Sequence, residues 1–253
     1  MGSSLKRAIV RPPPSSFRGC ISSHPLVGTL DLDLALHQHE KYCHELEERG
    51  LDVIRLPPDV SHPDSCFVED TAVIHKSKAL LTRMARSERR GEEISVHQVL
   101  KDYLSTKVIQ APTTLEGGDV VHCEKFFISG ESQRSNLVGI REMETWLGIE
   151  VRIVSDPRIV HLKSHMTYLG KNTMIVTPSY AKHPILERFD RIVIPEEEAY
   201  AANTLSLGDL VFMSSRHRRS IQLVKSAGFE VLPLDLSEFE KCEGALTCLS
   251  LLF

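Results

Sequence analysis

The chain has 253 residues, 42% hydrophobic and 25% charged, with a formal net charge of −4. This is an ordinary globular composition, long enough for a large core. It gives no support to a nucleic-acid partner, because only Arg216-His217-Arg218-Arg219 concentrates basic residues and that run reads as a solvated helix start. No apolar stretch reaches the roughly 18 residues that span a membrane, and Met1 to Val10 lacks the apolar run and cleavage site of a signal peptide.

In chain order, Lys6 to Arg11 is a short apolar strand, followed by a helical pattern over 33–49 and a strand over 53–56. Asp70 to His75 turns at Lys76-Ser77-Lys78 into Ala79 to Thr82, and the branched residues around a polar turn predict a hairpin. A helix over 87–104 and a strand at Val108-Ile109 follow. The same form recurs as a hairpin over 119–129, a helix over 131–147 and a strand over 151–154. Two further hairpins cover 166–176 and 203–213, with strands over 192–194 and 230–232 and a helix over 216–227. The openings at 70, 119, 166 and 203 mark a repeat. Its unit is hairpin, helix, strand.

Thr247 to Phe253 supplies half of a fifth hairpin, read as a buried closing strand, and Lys6 to Arg11 supplies the other half. Joining the ends removes exposed sheet edges. The expected architecture is therefore one α/β domain over 1–253, a five-bladed pseudosymmetric α/β-propeller of ββαβ units closed by the terminal strands. An open α/β sheet is the alternative, but it gives no reason for both termini to be short apolar strands.

The starts of the blades face one central channel, and the polar residues collect there: Glu69, Asp70, Glu116, Asp119, His161, Asn203 and Cys248. Each alone is ordinary, since a buried cysteine is usually a small core residue. Together they pair a thiol with an imidazole and a carboxylate, the set that nucleophilic catalysis needs. Cys20, Cys43, Cys66, Cys123, Cys242 and Cys248 are scattered along the chain, so free thiols in a reducing cytoplasm are expected. With neither CxxC nor HExxH, no metal site is expected.

Cys66-Phe67-Val68-Glu69-Asp70, Leu115-Glu116-Gly117-Gly118-Asp119, Gly130-Glu131-Ser132-Gln133-Arg134, His161-Leu162-Lys163-Ser164, Ala202-Asn203 and Thr247-Cys248-Leu249-Ser250-Leu251 resemble dimethylarginine dimethylaminohydrolase, of the guanidine-modifying pentein superfamily. The resemblance covers nearly the whole chain and implies a five-fold α/β-propeller. It also implies hydrolysis of Nω-methylated arginine to citrulline and methylamine or dimethylamine through a covalent cysteine intermediate, without cofactor or metal. On that resemblance Cys248 is the nucleophile, His161 the acid and base, and Glu116 its orienting partner. Glu69 and Asp70 grip the guanidino nitrogens, Arg89 and Arg134 hold the α-carboxylate, and Asp64 reaches the α-amine. Arg90 is a neighbouring alternative to Arg89. The only partner implied is a small-molecule methylarginine; a homodimer is left open.

One position separates close relatives, and two matches to the family are imperfect, at Cys20 and at Gly244-Ala245. Lys163 stands where arginine deiminases and amidinotransferases carry an aspartate two residues after the histidine, which favours a methylated guanidine over a free one. Cys20 replaces a leucine in the substrate lid, Arg18-Gly19-Cys20-Ile21-Ser22-Ser23-His24. Cys242 aligns with the residue whose backbone carbonyl takes the α-amine, and Gly244-Ala245 replaces a glycine pair. The alternatives are an arginine deiminase or related guanidine hydrolase, and a non-catalytic propeller that binds a partner.

Overall fold

Chain order in the computed structural model, which describes residues 6–253, starts with β1 (Arg7–Val10), α1 (Leu32–Glu48) and β2 (Asp52–Arg55). Met1 to Ser4 and Leu5, part of the expected domain, lie outside the described residues. The second unit is β3 (Ala72–His75), β4 (Lys78–Leu81), α2 (Glu93–Leu100) and β5 (Ser105–Val108). The third is β6 (Val120–His122), β7 (Phe127–Glu131), α3 (Leu137–Leu147) and β8 (Val151–Ser155). The fourth is β9 (Met166–Gly170), β10 (Thr173–Val176) and β11 (Asp190–Val193), crossed over by a short 3₁₀ turn at Pro184–Leu186 where the other units carry a helix. The fifth is β12 (Leu205–Leu207), β13 (Leu210–Ser214), α4 (Arg218–Ser226) and β14 (Glu230–Leu234), followed by α5 (Ser237–Glu240) and β15 (Leu251–Leu252).

These strands form five three-stranded sheets. In each, the first two strands pair antiparallel and the third joins parallel after the crossover, as in β3, β4 and β5. The termini complete the remaining sheet, with β1 antiparallel to β15 and parallel to β2. The expected ββαβ repeat and α/β-propeller are thus observed.

Each crossover helix closes its sheet with one apolar face. In α1, Ala35, Gln38, His39, Tyr42, Cys43 and Leu46 are buried at three- and four-residue spacing, and Asp31 caps the helix by accepting from the Asp33 and Leu34 amides. Apolar side chains inside each sheet pack on these helices and on the next blade, so the core is a ring of clusters around the channel. Among the described residues, no helix is long and apolar enough to cross a membrane.

Three elements differ from the sequence reading. The helix expected over 87–104 is confined to α2, because Ser87–Arg89 forms a 3₁₀ turn and Gly91 takes φ +113°, which ends any continuous helix there. The helix expected from Glu131 starts at Leu137, because β7 runs through Glu131 and Asn136 caps α3 from the Gly139 amide at 2.9 Å. The closing strand is shorter still. Thr247–Leu249 is a 3₁₀ turn, and only Leu251 and Leu252 pair with β1.

Candidate active site

Every blade opens with a 3₁₀ turn on the channel side: Val68–Thr71, Gly117–Asp119, Leu162–Ser164, Glu196–Ala202 and Thr247–Leu249. The polar residues of interest sit in these turns or beside them. Cys248 therefore rides on a turn rather than on the expected strand. Glu116 and His161 hold equivalent places, each the extended residue that enters its turn.

A cavity of about 290 Å³ collects Ile21, Asp64, Asp70, Arg89, Arg134, His161, Cys242 and Cys248 among its lining. Within it, His161 Nε2 donates to Glu116 Oε2 at 2.8 Å, and Glu116 Oε1 accepts from the Ala85 amide at 3.0 Å. Burial would push the imidazole's pKa down, but Asp70 and Glu116 outweigh that and raise it to about 9. His161 is accordingly a cation at neutral pH. Glycine at 118 makes room for it, since a Cβ there would lie 2.7 Å from His161 Nδ1.

Cys248 is 8% exposed. Burial, then the charges of Glu69 and Asp70, raise its pKa well above that of an ordinary thiol, so the protein alone keeps it protonated.

Asp70 is tied on both sides. Oδ1 accepts from the Gly118 amide at 2.9 Å and Oδ2 from Arg89 Nη1 at 2.8 Å. Burial acts to raise its pKa; His161 and Arg89 overcome this and lower it to about 2. Arg89 is buried and spends Nε and Nη2 on Glu92 at 3.0 and 2.7 Å. Arg90 is turned away, bonding the Met84 and Ala85 carbonyls. Arg134 differs: its Nη1 is buried with no hydrogen-bond partner. Asp64 is buried, accepts from the Ile21 amide, and has its pKa raised by burial against the opposing charge of Arg89.

Glu69 is not brought to this cavity. It accepts from Thr247 Oγ1 at 2.6 Å and pairs with the buried Lys163; both line a second cavity, and Lys163 also lines a third together with His161 and Cys248. Asp119 is also structural. It ties Ser132 and Ser135 to the Leu162 amide, fixing the backbone just after His161. Asp70, Glu116 and His161 present three potential metal donors within 4.8 Å of one another. The bonds of those carboxylates to Arg89, Gly118, Ala85 and His161 account for the cluster without an ion.

Cys20 and Cys242 correct the expectation of free thiols. They form a disulfide, with Cα atoms 5.9 Å apart and a sequence separation of 222. The reason is topological: ring closure puts the segment after β1 beside the segment before β15, so residues remote in sequence become neighbours. Cys43, Cys66, Cys123 and Cys248 remain free.

Arg86, Gln133, Val160 and Glu243 also line the cavity and were not singled out from the sequence. Arg86 lies in the same arginine-rich stretch as Arg89, which was the only signal for it.

A family model described as "N,N dimethylarginine dimethylhydrolase, eukaryotic" matches residues 29–250. The N(G),N(G)-dimethylarginine dimethylaminohydrolase of Pseudomonas aeruginosa is 35% identical, over 98% of this chain and 100% of that protein. A structure of the Pseudomonas aeruginosa enzyme, a Cys-to-Ser mutant complexed with citrulline, superposes with a TM-score of 0.95 at 33% identity, covering 99% of this chain and 100% of the other. A dimethylarginine dimethylaminohydrolase His-to-Gly adduct with S-methyl-L-thiocitrulline gives 0.94 at 33% identity, covering 98% and 100%. With the fold, the thiol–imidazole–carboxylate set and these likenesses agreeing over the whole length, the chain belongs to the dimethylarginine dimethylaminohydrolase family.

Proposed function

We propose that the chain hydrolyses Nω-methylated arginine to citrulline and methylamine or dimethylamine, with Cys248 as nucleophile. The observation that carries this reading is the split character of one cavity. Asp64, Arg89 and Arg134 suit the amine and carboxylate of an amino acid, while Cys248, His161 and Asp70 suit a cationic carbon. An α-carboxylate would meet the unpartnered Nη1 of Arg134, with Arg89 behind it. Asp64 would take the α-amine.

A guanidinium is resonance-stabilised and a poor electrophile, so it must be held in place and attacked by a strong nucleophile. The Cys248 thiol is the wrong species until a cation arrives. A guanidinium beside it offsets the charges of Glu69 and Asp70, lowers the thiol's pKa and releases its proton to solvent. The thiolate adds to the guanidino carbon. His161, already protonated, gives its proton to the departing amine, which leaves a covalent thiouronium on Cys248. Neutral imidazole then takes a proton from water, the hydroxide adds to the same carbon, and citrulline leaves as the thiol is restored. Acid–base help of this kind supplies about 10²–10⁴-fold in rate. Glu116 stabilises the imidazolium at both stages, as the third member of a triad does.

Glu69 has a different role from the one first expected. Its pairing with Lys163 keeps that ammonium from facing the substrate as an unopposed charge. Lys163 in place of an aspartate leaves one edge of the guanidinium without a carboxylate partner, which suits N-methyl groups and disfavours free arginine. Retention of Cys248, His161 and Glu116 in one cavity weighs against a non-catalytic binding propeller. The test feeds arginine, monomethylarginine and asymmetric dimethylarginine separately and measures citrulline. Product from the methylated substrates alone supports the reading, and product chiefly from arginine refutes it in favour of a deiminase.

A further inference from the structure

The Cys20–Cys242 disulfide joins the lid segment to the loop that leads into the nucleophile. On the lid side, Cys20 follows the turn at Phe17–Gly19, and the next amide, that of Ile21, donates to Asp64. Ser22 Oγ donates to the Lys241 carbonyl at 2.8 Å, and Ser23 Oγ to Glu243 Oε1 at 2.7 Å. On the other side, Cys242 is anchored by its amide to the Phe239 carbonyl at 2.9 Å. Gly244 is held against Phe67 so closely that a Cβ would fall 2.0 Å from the ring. The nucleophile side is thus fixed, whereas on the lid side Phe17 is buried against Phe67 and Phe239 and the residues after Cys20 rest on partly buried and exposed polar bonds. Water replaces the exposed Ser23–Glu243 bonds at little cost, so the disulfide is the covalent tie between this segment and the loop before the nucleophile.

We propose that Cys20 and Cys242 act as an oxidised positioning clamp, holding the lid in the arrangement that binds the amino-acid end of the substrate. This rests on the functional reading above, in which Asp64 takes the α-amine. The bonded form is the competent one, since exposed Ser23, Arg86, Gln133, Val160 and Glu243 rim the same cavity and leave it open to solvent. Forming the bond removes two protons and two electrons from the two thiols, which a small-molecule disulfide accepts by exchange. A dithiol reverses it, closing into its own disulfide while both cysteines regain S–H. Once reduced, the lid is closed only part of the time, and apparent affinity falls in proportion to the closed fraction. The substrate still closes the lid on binding, so turnover of the bound complex is retained.

The experiment compares protein purified without reductant, the same protein in dithiothreitol under low oxygen, and the Cys20→Ser/Cys242→Ser variant in both conditions. Alkylation and intact mass count the free thiols, with four expected in the untreated protein. Reduction is expected to raise KM for asymmetric dimethylarginine by about ten-fold with kcat changed by less than about two-fold, as a closed fraction near one tenth implies. The double variant is expected to match the reduced protein and to ignore dithiothreitol. A purely structural staple would lower the amount of active enzyme and leave KM alone. The proposal is overturned by six alkylated cysteines in untreated protein, by an unchanged KM, or by a KM that falls on reduction. Absence of citrulline in every state would instead remove the functional reading.

Discussion

Replacing Arg89 with methionine separates two roles that one side chain can hold. Arg89 is 5% exposed, and its guanidinium meets Glu92 through two bonds, Asp70 through one and the Phe67 carbonyl at 3.4 Å. Glu92 and Asp70 are themselves buried. Removing the cation strands two carboxylates in the interior; Asp70 keeps the Gly118 amide and His161, but Glu92 loses both of its charge-assisted bonds. Breaking a buried pair from one side costs about 3–5 kcal/mol. For a chain of this size each kcal/mol moves the melting temperature by about 2–4 °C, so Arg89→Met is expected to melt roughly 6–20 °C lower. The loss depends on pH with a definite sign. Burial, opposed by Arg89, raises the pKa of Glu92 to about 7, above its unfolded value. Its contribution is favourable below the unfolded carboxylate range and is lost as pH rises through about 7. Without Arg89 that pKa rises further, so the deficit between variant and wild type is larger at pH 8 than at pH 5.5. Melting curves followed by circular dichroism at both pH values give these numbers. Arg134→Met is the control: it breaks no buried pair, so it is expected to stay within about 0.5 kcal/mol of wild type while raising KM. Equal melting temperatures for the two variants would refute the assignment of Arg89 as a structural anchor.

The other predictions concern the chemistry. Cys248→Ser is expected to abolish citrulline formation, and His161→Ala to accumulate a covalent adduct detectable by intact mass; normal turnover in the serine variant excludes the assigned nucleophile. Glu116→Gln removes one of the charges that, with Asp70, hold His161 protonated, so the alkaline limb of kcat/KM, expected near pH 9 in the wild type, should move to lower pH. An unmoved limb means another group sets it. Gly118→Ala puts a methyl group 2.7 Å from His161 Nδ1 and should cost about 10²-fold in kcat by displacing the ring; unaltered kcat would show that the imidazole has room to spare.

What was legible in the sequence was whatever the repeat carries. The hairpins at Ala72–His75 and Lys78–Leu81 and at Met166–Gly170 and Thr173–Val176 are written in short apolar runs around polar turns, so local chemistry places them. Boundaries set by tertiary contacts were not legible. Ser132 and Ser135 read as helix residues, yet both hydroxyls are spent on Asp119 of the turn that opens their own blade, and α3 waits for Asn136. Glu69 and Asp70 are adjacent and equally acidic, but a 3₁₀ turn points them to different cavities. The disulfide followed the same logic. Cys20 falls in the substrate lid and Cys242 at the residue whose carbonyl takes the α-amine, two positions over one ligand, but a rule built on compartment and sequence spacing concealed the bond.

The catalytic hydrogen bond joins equivalent positions of neighbouring repeats. Glu116 enters its turn with φ −129° and ψ 141°, and His161 enters the next with φ −136° and ψ 142°. Pseudosymmetry thus aims both side chains at the axis by the same backbone conformation, and only residue identity makes one the proton carrier and the other its carboxylate partner. Cys248 arrives differently, from the far end of the chain, and reaches the axis because Thr247 bonds Glu69 and Asn203 while β15 pairs with β1. The Phe253 carbonyl accepts from the Lys6 and Arg7 amides, which locks that pairing. Removing Leu251, Leu252 and Phe253 therefore deletes no residue of the cavity yet releases the turn that bears the thiol. The truncated chain is expected to lose citrulline formation while the helical signal stays near that of the full chain, since the ring's other sheets do not include these residues. Full activity after truncation would show that the nucleophile is held by its turn alone and that ring closure is not a condition of catalysis.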